Sequence, residues 1–517
     1  MRHPTSPGRL WAALSLAFLL VSCGGGSSPA GASAGGGQPP TATIDADTGP
    51  IARDQAIVVH FSETIDIASL TLGGEIGAAA ATEWSQASAA NDTLTLRPRG
   101  GTWPVGEGRQ LTVDARNLAG LALARVGTTY IVPVRFAAFP PAETVIGQPD
   151  FQANQGNRGG TVDANTLYGP EGSVAVSPDG KLFVPDYYNQ RVLVFSAIPS
   201  TVDASAMFAL GQPDLQSDNA PIGRTGFGVI GGLSIAGGRL LVTDRDVGRV
   251  LIYNTVPQDA SAMPDVVLGQ PDFTSAGAAC GPSRMNVPEA GILTEDGKVL
   301  VADSRNNRVL IWNAVPADPG SAPDLILGQA DGLHCNSNAG GSIPSQRALS
   351  SPVGIWSDGK RVVVSDQNNN RVLIWNSFPT SNFQPADIVL GQQTFTAAAG
   401  NDDNQDGLTD VHPSPRTLRS PSSVSSNGLQ LAVTDQDNHR VLVWNEFPKQ
   451  SFQPADMVLG HSGFTQSTPN DLDEDGAADA AGASASTLSD PVGVLLKGDH
   501  LFVSDAGNNR ILIFRAH

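Results

Sequence analysis

Positive charge, aromatic side chains and cysteine are all scarce in this chain of 517 residues. Lys and Arg number 31 against 50 Asp and Glu, which gives a formal net charge of −19 at pH 7. Nucleic-acid binding depends on basic side chains that displace counterions from phosphates, so this charge argues against a nucleic-acid partner. For the same reason it disfavours adsorption to an anionic membrane surface.

Long amphipathic helices are also missing from the sequence, because no segment repeats its apolar residues with a period of 3.6. The chain instead has 57 Gly and 37 Pro, while aromatic residues make up only 6%. This composition favours short strands joined by turns, and the length exceeds that of one ordinary domain. We therefore expect an all-β protein with more than one domain.

The N-terminus has the pattern of an export signal. Arg2 and Arg9 precede an apolar stretch over residues 10–21, which is too short to span a bilayer. The stretch ends in LVSCG (residues 20–24), which resembles the lipobox of bacterial lipoproteins. In that family the signal is cut before the cysteine and the thiol is acylated. An ordinary signal peptide with a chance cysteine is the alternative interpretation.

The lipobox resemblance implies a signal peptide over residues 1–22 and lipidation of Cys23. It also implies anchoring in the bacterial cell envelope through the N-terminal lipid, at the outer membrane or the cell surface. Residues 23–40 are rich in Gly and Ser, a composition that forms a flexible tether. In such an oxidising compartment the two remaining cysteines, Cys280 and Cys335, are candidates for a disulfide, the alternative being two separate buried thiols.

Residues 41–135 alternate apolar and polar positions with a period of two in the segments 56–62, 92–98, 110–115 and 128–134. Turn-forming residues lie between these segments, which is typical of a half-buried antiparallel β-sandwich. The stretch AIVVHFSETIDIASL (56–70) resembles the bacterial Ig-like domains of surface-layer and adhesin proteins. That resemblance implies a spacer domain without a site of its own.

From about residue 136 the chain consists of six copies of one unit. Each copy contains a hexad that begins with Asp, usually has Asn in fourth place and ends with Arg, followed by three apolar residues and an aromatic residue. The paired Asp and Arg residues of the six hexads are Asp186 and Arg191, Asp244 and Arg249, Asp303 and Arg308, Asp366 and Arg371, Asp435 and Arg440, and Asp505 and Arg510.

Four short apolar runs per unit predict a four-stranded sheet that cannot bury both faces alone. Radial stacking solves this problem, because each sheet covers the next and the ring closes on itself. The sequence therefore predicts a six-bladed β-propeller over residues 136–517. We expect the strand in VIGQPDF (145–151) to complete the last blade and close the ring.

The runs DSRNNRVLIWN (303–313), DQNNNRVLIWN (366–376) and DAGNNRILIF (505–514) resemble NHL repeats. This family includes RNA-binding, protein-binding and enzymatic propellers, so the resemblance implies a fold and leaves the function to the sites. Because the hexad occurs in every unit, we interpret it as structural, with an Asn in left-handed conformation and an Arg that binds its carboxylate in two places. The second unit departs from the pattern at Val247 and in its Gly-rich stretch 228–238, and is expected to be irregular.

The segments that lead into each unit vary in length and should emerge on one face of the ring. Two of them alternate acidic or amide side chains and have Gly in sixth place, as calcium loops of the EF-hand, dockerin and thrombospondin type do. The liganding Glu of an EF-hand is absent, since Pro413 and Gly482 stand in twelfth place. A solvated acidic loop is the alternative. The candidate Ca²⁺ ligands are Asp402, Asn404, Asp406 and Asp410, and Asp471, Asp473, Asp475 and Asp479.

No zinc or catalytic motif is present, since the His residues occupy non-equivalent repeat positions without a fixed ligand spacing. We therefore expect a binding or scaffold protein that presents its loop face to an extracytoplasmic protein or glycan ligand. A metal-dependent propeller enzyme of the lactonase or lyase type is the alternative, and a purely structural envelope protein is a third. An enzyme should converge unrepeated polar side chains on the mouth of the channel, whereas a binding platform should offer a broad surface across several loops.

Overall fold

The computed structural model of the chain describes residues 38–45, 49–479 and 482–516, and it is almost entirely β. The all-β prediction is therefore confirmed. The signal peptide and Cys23 lie outside the described residues. Within the described part of the chain, every helix is too short or too polar to cross a membrane.

The N-terminal domain consists of two four-stranded sheets with the strand orders β1-β3-β6-β5 and β2-β8-β7-β4. Alternate residues of its strands, such as Ile57, Val59 and Phe61, are buried in one shared core around Trp103. Its elements are β1 (Ala42–Ile44), β2 (Gly49–Pro50), β3 (Ile57–Phe61), β4 (Ile65–Gly73), the short helix α1 (Gly74–Ala79), β5 (Ala80–Ser85), β6 (Thr93–Pro98), β7 (Gly106–Asn117) and β8 (Val126–Val132).

The rest of the chain forms sheets of the β-propeller type, each with four antiparallel strands in chain order. The strands are β9 (Thr144–Ile146), β10 (Ala175–Val176), β11 (Leu182–Asp186), β12 (Arg191–Phe195), β13 (Phe208–Leu210), β14 (Ile230–Ala236), β15 (Arg239–Asp244), β16 (Arg249–Tyr253), β17 (Val266–Leu268), β18 (Pro288–Leu293), β19 (Val299–Asp303), β20 (Arg308–Trp312), β21 (Leu325–Leu327), β22 (Pro352–Ser357), β23 (Val362–Asp366), β24 (Arg371–Trp375), β25 (Ile388–Leu390), β26 (Pro421–Ser426), β27 (Leu431–Asp435), β28 (Arg440–Trp444), β29 (Met457–Leu459), β30 (Pro491–Lys497), β31 (His500–Asp505) and β32 (Arg510–Arg515).

Short 3-10 turns accompany several connections between strands. They cover Gly156–Gly159, Ser304–Asn306, Ser337–Gly340, Gln367–Asn369, Gln436–Asn438 and Ala506–Asn508.

The last sheet closes on the beginning of the array. Its strand order is β30-β31-β32-β9, and β9 pairs with β32 through Val145 opposite Leu512. Apolar side chains of this sheet pack in one core with Leu182 and Leu193 of the first sheet. The Ser173 hydroxyl also donates to the Val494 carbonyl at 3.0 Å. The first and last sheets therefore contact each other, and the array forms a closed ring.

Both faces of each central strand are buried because every sheet packs against its two neighbours. One core, for example, joins Leu241 and Val250 of the second sheet to Val299 and Leu310 of the third. Burial on both faces explains why these strands are continuous apolar runs, whereas the strands of the N-terminal domain alternate.

The N-terminal domain lies against one end of the ring, which we call the base. The Val134 amide donates to the Gln430 side chain at 2.8 Å, and that side chain donates back to the Val134 carbonyl at 2.9 Å. Lys497 of β30 forms an ion pair with Glu107 of β7 at 2.6 Å. The segments that lead into the first strand of each sheet emerge at the opposite end. We call them insertions one to six: residues 147–174, 211–229, 269–287, 328–351, 391–420 and 460–490.

Candidate functional site

Each hexad forms the turn between the second and third strands of its sheet, and its polar side chains bond to one another. In the third sheet, one oxygen of Asp303 accepts from the Asn306 amide at 2.8 Å and from Arg308 Nε at 2.8 Å. The residue in left-handed conformation is Asn307, with φ of 54°. The left-handed residue of this turn is therefore the Asn in fifth place, while the Asn in fourth place donates to the Asp.

The Arg of each hexad holds the insertions in place. Arg308 contacts the carboxylate through one nitrogen only, and its two terminal nitrogens donate to the carbonyls of Gly332 at 2.9 Å and Gly281 at 2.7 Å. The second oxygen of Asp303 accepts from the Asn286 amide at 2.6 Å. The expected two-point bond between Arg and carboxylate does not form, because the guanidinium also serves both neighbouring insertions.

The same ion pair forms in all six units. The distances from Arg Nε to the Asp oxygen are 2.7–2.8 Å, and every one of these side chains is fully buried. Burial raises the pKa of Asp303 to about 6, although the Arg308 guanidinium opposes this shift. Each pair is buried and its polar atoms are already hydrogen-bonded within the protein, so it offers no free group to a ligand. Its geometry is that of a structural element.

The second sheet is more regular than expected. Val247 replaces the Asn, yet Asp244 and Arg249 still pair at 2.7 Å. The strand register shifts between Ile230 and Leu233, and a similar shift occurs at the start of the third to sixth sheets. The Gly-rich stretch instead permits close packing, since a Cβ on Gly231 would lie 2.2 Å from the Glu289 carbonyl oxygen.

The two cysteines join neighbouring insertions. Cys280 in insertion three and Cys335 in insertion four form a disulfide with Cα atoms 6.2 Å apart. The bridge links two loops that lead into different sheets. It restricts the free movement of this part of the insertion face.

The two acidic loops fold into the same turn. In insertion five, the Asp402 carboxylate accepts from the amides of Asp406 at 3.0 Å and Gly407 at 2.9 Å. In insertion six, Asp471 accepts in the same way from Asp475 at 3.2 Å and Gly476 at 3.0 Å. The first Asp of each loop is therefore buried and positioned by the amides that follow it.

The remaining candidate ligands differ between the loops. In insertion six, carboxylate oxygens of Asp471, Asp473 and Asp475 lie within 4.8 Å of one another, and the latter two side chains are exposed. Asp479 accepts from the Leu472 amide at 2.6 Å, so its carboxylate braces the loop. In insertion five, Asn404 accepts from the Asp406 amide at 2.9 Å, and the Asp410 amide donates to the Gly400 carbonyl at 3.1 Å.

The innermost strands surround a central channel with two connected cavities. The upper cavity, of about 260 Å³, lies at the insertion end. The lower cavity, of about 760 Å³, lies toward the base and is also lined by Pro50, Glu107 and Ile131 of the N-terminal domain. Ser173 and Leu233 line both cavities. Because the N-terminal domain lies over the base, the insertion face is the open approach to the upper cavity.

A group of charged and polar side chains that most units lack lines one side of this upper cavity. Arg245 Nε lies 2.8 Å from both carboxylate oxygens of Glu289, and its Nη1 donates to the Tyr187 hydroxyl at 2.7 Å. Glu171 lines the same cavity. Burial, together with the charge of Glu289, raises the pKa of Glu171 to about 7. These residues were missed at the sequence level.

The insertion face also exposes large apolar side chains. Insertions four, five and six each contribute at least one, with exposed fractions of 49–79%. These residues are Leu333, Ile343, Leu408, Val411 and Leu472. Three successive insertions thus carry exposed apolar side chains around one half of the ring mouth, whereas the charged residues of the cavity belong to the first three units.

The histidines that the structure describes do not assemble into a site. His461 takes the place of the Gln in the other units and faces the Asn438 carbonyl at 3.1 Å. His334 is exposed beside Asp331 at 2.7 Å. Among the described residues, the one group of three side chains positioned to hold a metal is in insertion six, and it contains no His.

No protein-family model and no curated protein sequence matches the chain. Among solved structures, a putative phosphatase from Bacteroides thetaiotaomicron is similar over 93% of this chain and 98% of its own, with 10% identity and a TM-score of 0.40. Virginiamycin B lyase from Staphylococcus aureus is similar over 68% of this chain and 97% of its own, with 13% identity and a TM-score of 0.33. For the PQQ-bound aldose sugar dehydrogenase from Streptomyces coelicolor, the match covers 69% and 97% of the two chains, with 15% identity and a TM-score of 0.37. These similarities are too weak to bear on ligand or reaction.

Proposed function

We propose that the chain is an exported, lipid-anchored binding protein of the bacterial cell envelope. In this proposal, the lipid on Cys23 and the tether 23–40 anchor an Ig-like sandwich (41–135), which acts as a spacer. A six-bladed propeller of the NHL type (136–517) then presents its insertion face to an extracytoplasmic protein or glycan ligand.

The observation that carries this proposal is the asymmetry between the two ends of the ring. One end is occupied by the N-terminal domain, which contacts Gln430 and Lys497. The other end carries all six insertions, with apolar tips such as Leu408 and Val411 that are 67% and 79% exposed. Exposed apolar side chains concentrated on one face of a rigid frame are typical of a protein-interaction surface.

Calcium is the cofactor we propose for insertions five and six. Alternating oxygen donors with Gly407 and Gly476 in sixth place fit a hard cation, and the first Asp of each loop is already fixed by backbone amides. The bound ion would neutralise the clustered carboxylates and stiffen the apolar tips beside them. Affinity should fall near the millimolar range of extracellular calcium modules.

An enzyme of the lactonase or lyase type is the second candidate. The observation in its favour is the convergence of unrepeated side chains on the channel, above all Glu171, whose pKa of about 7 suits a general acid or base at neutral pH. Hydrolysis of simple lactones and esters by the soluble form, with Glu171→Gln as the inactive variant, tests this candidate. The channel offers no trio of metal-ligating side chains among the described residues, so the metal-dependent version has no support there.

The binding proposal is tested with the soluble form, residues 24–517, and cell envelopes from a strain that lacks the protein. We expect saturable binding that Leu408→Ser with Val411→Ser weakens at least tenfold, since the pair removes apolar contacts at the tip of insertion five. Ile67→Ser, at an apolar residue of the N-terminal domain that is 50% exposed, is the matched control. Equal binding by wild type and the insertion variant overturns the proposal.

A further inference from the structure

The mouth of the channel carries a carboxylate that the protein leaves without a donor. Within the described part of the chain, Glu171 accepts no hydrogen bond, although Arg245 lines the same cavity. That guanidinium is instead committed to Glu289 and Tyr187. A partly buried acid without a hydrogen-bond donor costs stability, because burial disfavours its charge and the nearby Arg245 guanidinium offsets only part of that cost.

The charge around Glu171 is negative in excess. The charged groups that act on it are the carboxyls of Glu289, Asp246 and Asp490 and the Arg245 guanidinium, and the Tyr187 hydroxyl is also close. Arg245 faces Glu289 directly, and Arg305 adds a weaker positive contribution at Glu289. An anionic ligand would be repelled at this mouth, whereas a cation would replace the missing partner of Glu171.

An aromatic cluster surrounds Tyr187, the tyrosine on which the charge of Glu171 acts. Tyr168 and Tyr188 are 45% and 53% exposed and their ring centroids lie 4.7 Å apart. Tyr187 packs against Tyr188 at 4.8 Å and carries its hydroxyl to Arg245, so it links the pair to the cavity. The whole chain has only five Tyr residues. The gathering of three of them at the first sheet is therefore a local feature and does not follow from the repeat.

We propose that this mouth is a binding site for a small organic ammonium ion, held by the Glu171 carboxylate with its flat part against Tyr168 and Tyr188. Aromatic faces attract cations, and flat apolar groups stack on exposed Tyr rings. The neutral Tyr and Gln side chains of other units could not compensate the positive charge of an ammonium ion. The site is separate from the apolar insertion tips, so it stands whether or not those tips bind an envelope partner.

The lining of the cavity shows why only one side of the ring carries this site. Glu171 and Glu289 each follow the proline that begins the third apolar run of their unit, and the corresponding residues of the last three units are Val353, Ser422 and Val492. Arg245 lies between the two acids in the second sheet, where Gly231 and Gly232 allow the inner strands to approach closely. A ligand thus meets charge on one side and apolar, hydroxyl or carboxamide groups on the other.

Titration calorimetry of the soluble form at pH 8 tests the site. The probes are benzylamine, which joins an ammonium group to a flat ring, and benzyl alcohol, its neutral match. We expect benzylamine to bind in the millimolar range and at least tenfold more tightly than benzyl alcohol. Glucosamine, with glucose as its neutral match, is the second pair of probes. An amine that binds more tightly than its neutral match supports the site. The amine with the higher affinity shows whether the natural ligand class is an aryl amine or an amino sugar.

Two variants localise the binding. Glu171→Gln should weaken benzylamine binding at least tenfold, and Tyr188→Ala about 3- to 30-fold, the range measured for contacts between cations and aromatic rings. Glu83→Gln, an exposed acid of β5, should change nothing. A cooperative melting transition in each variant, at or above the wild-type temperature for Glu171→Gln, would show that folding is intact. Equal affinity for amine and alcohol, or full binding by Glu171→Gln, overturns the proposal.

Discussion

Glu171 is the residue at which stability and function are expected to conflict. Its carboxyl lies in a channel among other acids and lacks a donor among the described residues, so the folded protein favours the protonated form. The favourable contribution is full below the unfolded pKa of about 4.5 and is lost as pH rises through about 7. Above pH 7 the charged carboxylate therefore destabilises the fold.

We predict that Glu171→Gln stabilises the protein at pH 8 by about 1–3 kcal/mol, because the amide carries no charge to bury. At pH 4 the change should be within about 0.5 kcal/mol, since the wild-type carboxyl is then protonated. Urea unfolding at the two pH values measures both. A stabilisation that is equal at both pH values would contradict the burial of this charge.

The charged residues of the channel show which part of the candidate site could not be predicted from the sequence. Glu171, Arg245 and Glu289 are ordinary charged residues in the sequence, and no motif sets them apart. Each occupies a repeat position that other units fill with different residues, so the repeat conceals them. Only the packing of consecutive sheets around the channel brings side chains from these three units together at one cavity. The sequence signal that could have revealed them is that they differ from the residues at the same repeat position in most other units. Detecting this difference requires an alignment of the six units.

At the scale of the element, the hexad holds the neighbouring insertions in place. The Asp–Arg pair binds the strand turn to the carbonyls and amides of the loops on both sides. Its repetition and its structural role could be predicted from the sequence. Its contacts could not be predicted, because the Arg binds backbone carbonyls, which every residue has.

Removing one partner of the buried pair should be costly. Arg308→Ala leaves the Asp303 charge buried without its partner and releases two insertions, so we expect a loss of about 3–5 kcal/mol in unfolding free energy. Arg125→Ala breaks an exposed pair with Asp114 and should cost less than about 1 kcal/mol. Chemical denaturation of both variants provides the comparison, and similar losses would show that the hexad is dispensable.

The acidic loops give a second prediction at this scale. Asp406→Ala with Asp475→Ala should abolish the stabilisation that calcium provides, because each change removes a ligand from the centre of a loop. At a calcium concentration ten times Kd, wild type should gain about 1.4 kcal/mol from each of the two loops, or about 2.8 kcal/mol in all. Thermal melts of the soluble form in calcium and in excess chelator measure the gain. Asp54→Ala with Glu83→Ala, two exposed acids outside the loops, is the charge-matched control. A calcium response that persists in the loop variant would exclude these metal sites.

At the scale of the whole molecule, the architecture follows from burial. Each four-stranded sheet needs cover on both faces, and the first strand of the array completes the last sheet. The number of strands per unit and the closing strand were predictable, because apolar runs and turn residues recur in fixed order. The contact between the N-terminal domain and the base was not predictable, since it depends on surface residues such as Glu107 and Lys497 that follow no pattern.

In the proposed function, the location of the molecule depends on a single thiol. Cys23→Ala should release the protein from the membrane fraction into the soluble fraction, because no lipid can then be attached. Ser28→Ala, within the tether, should leave the distribution unchanged. Immunodetection in fractionated cells provides the measurement, and a Cys23→Ala protein that still sediments with membranes would refute the lipid anchor.

In the proposed function, the insertion face is the face that binds. Hydrogen–deuterium exchange of the soluble form, with and without saturating cell-envelope fragments, is the test. We expect slower exchange in insertions four to six and unchanged exchange in the N-terminal domain. Protection confined to the N-terminal domain or to the outer strands of the ring would show that another surface binds.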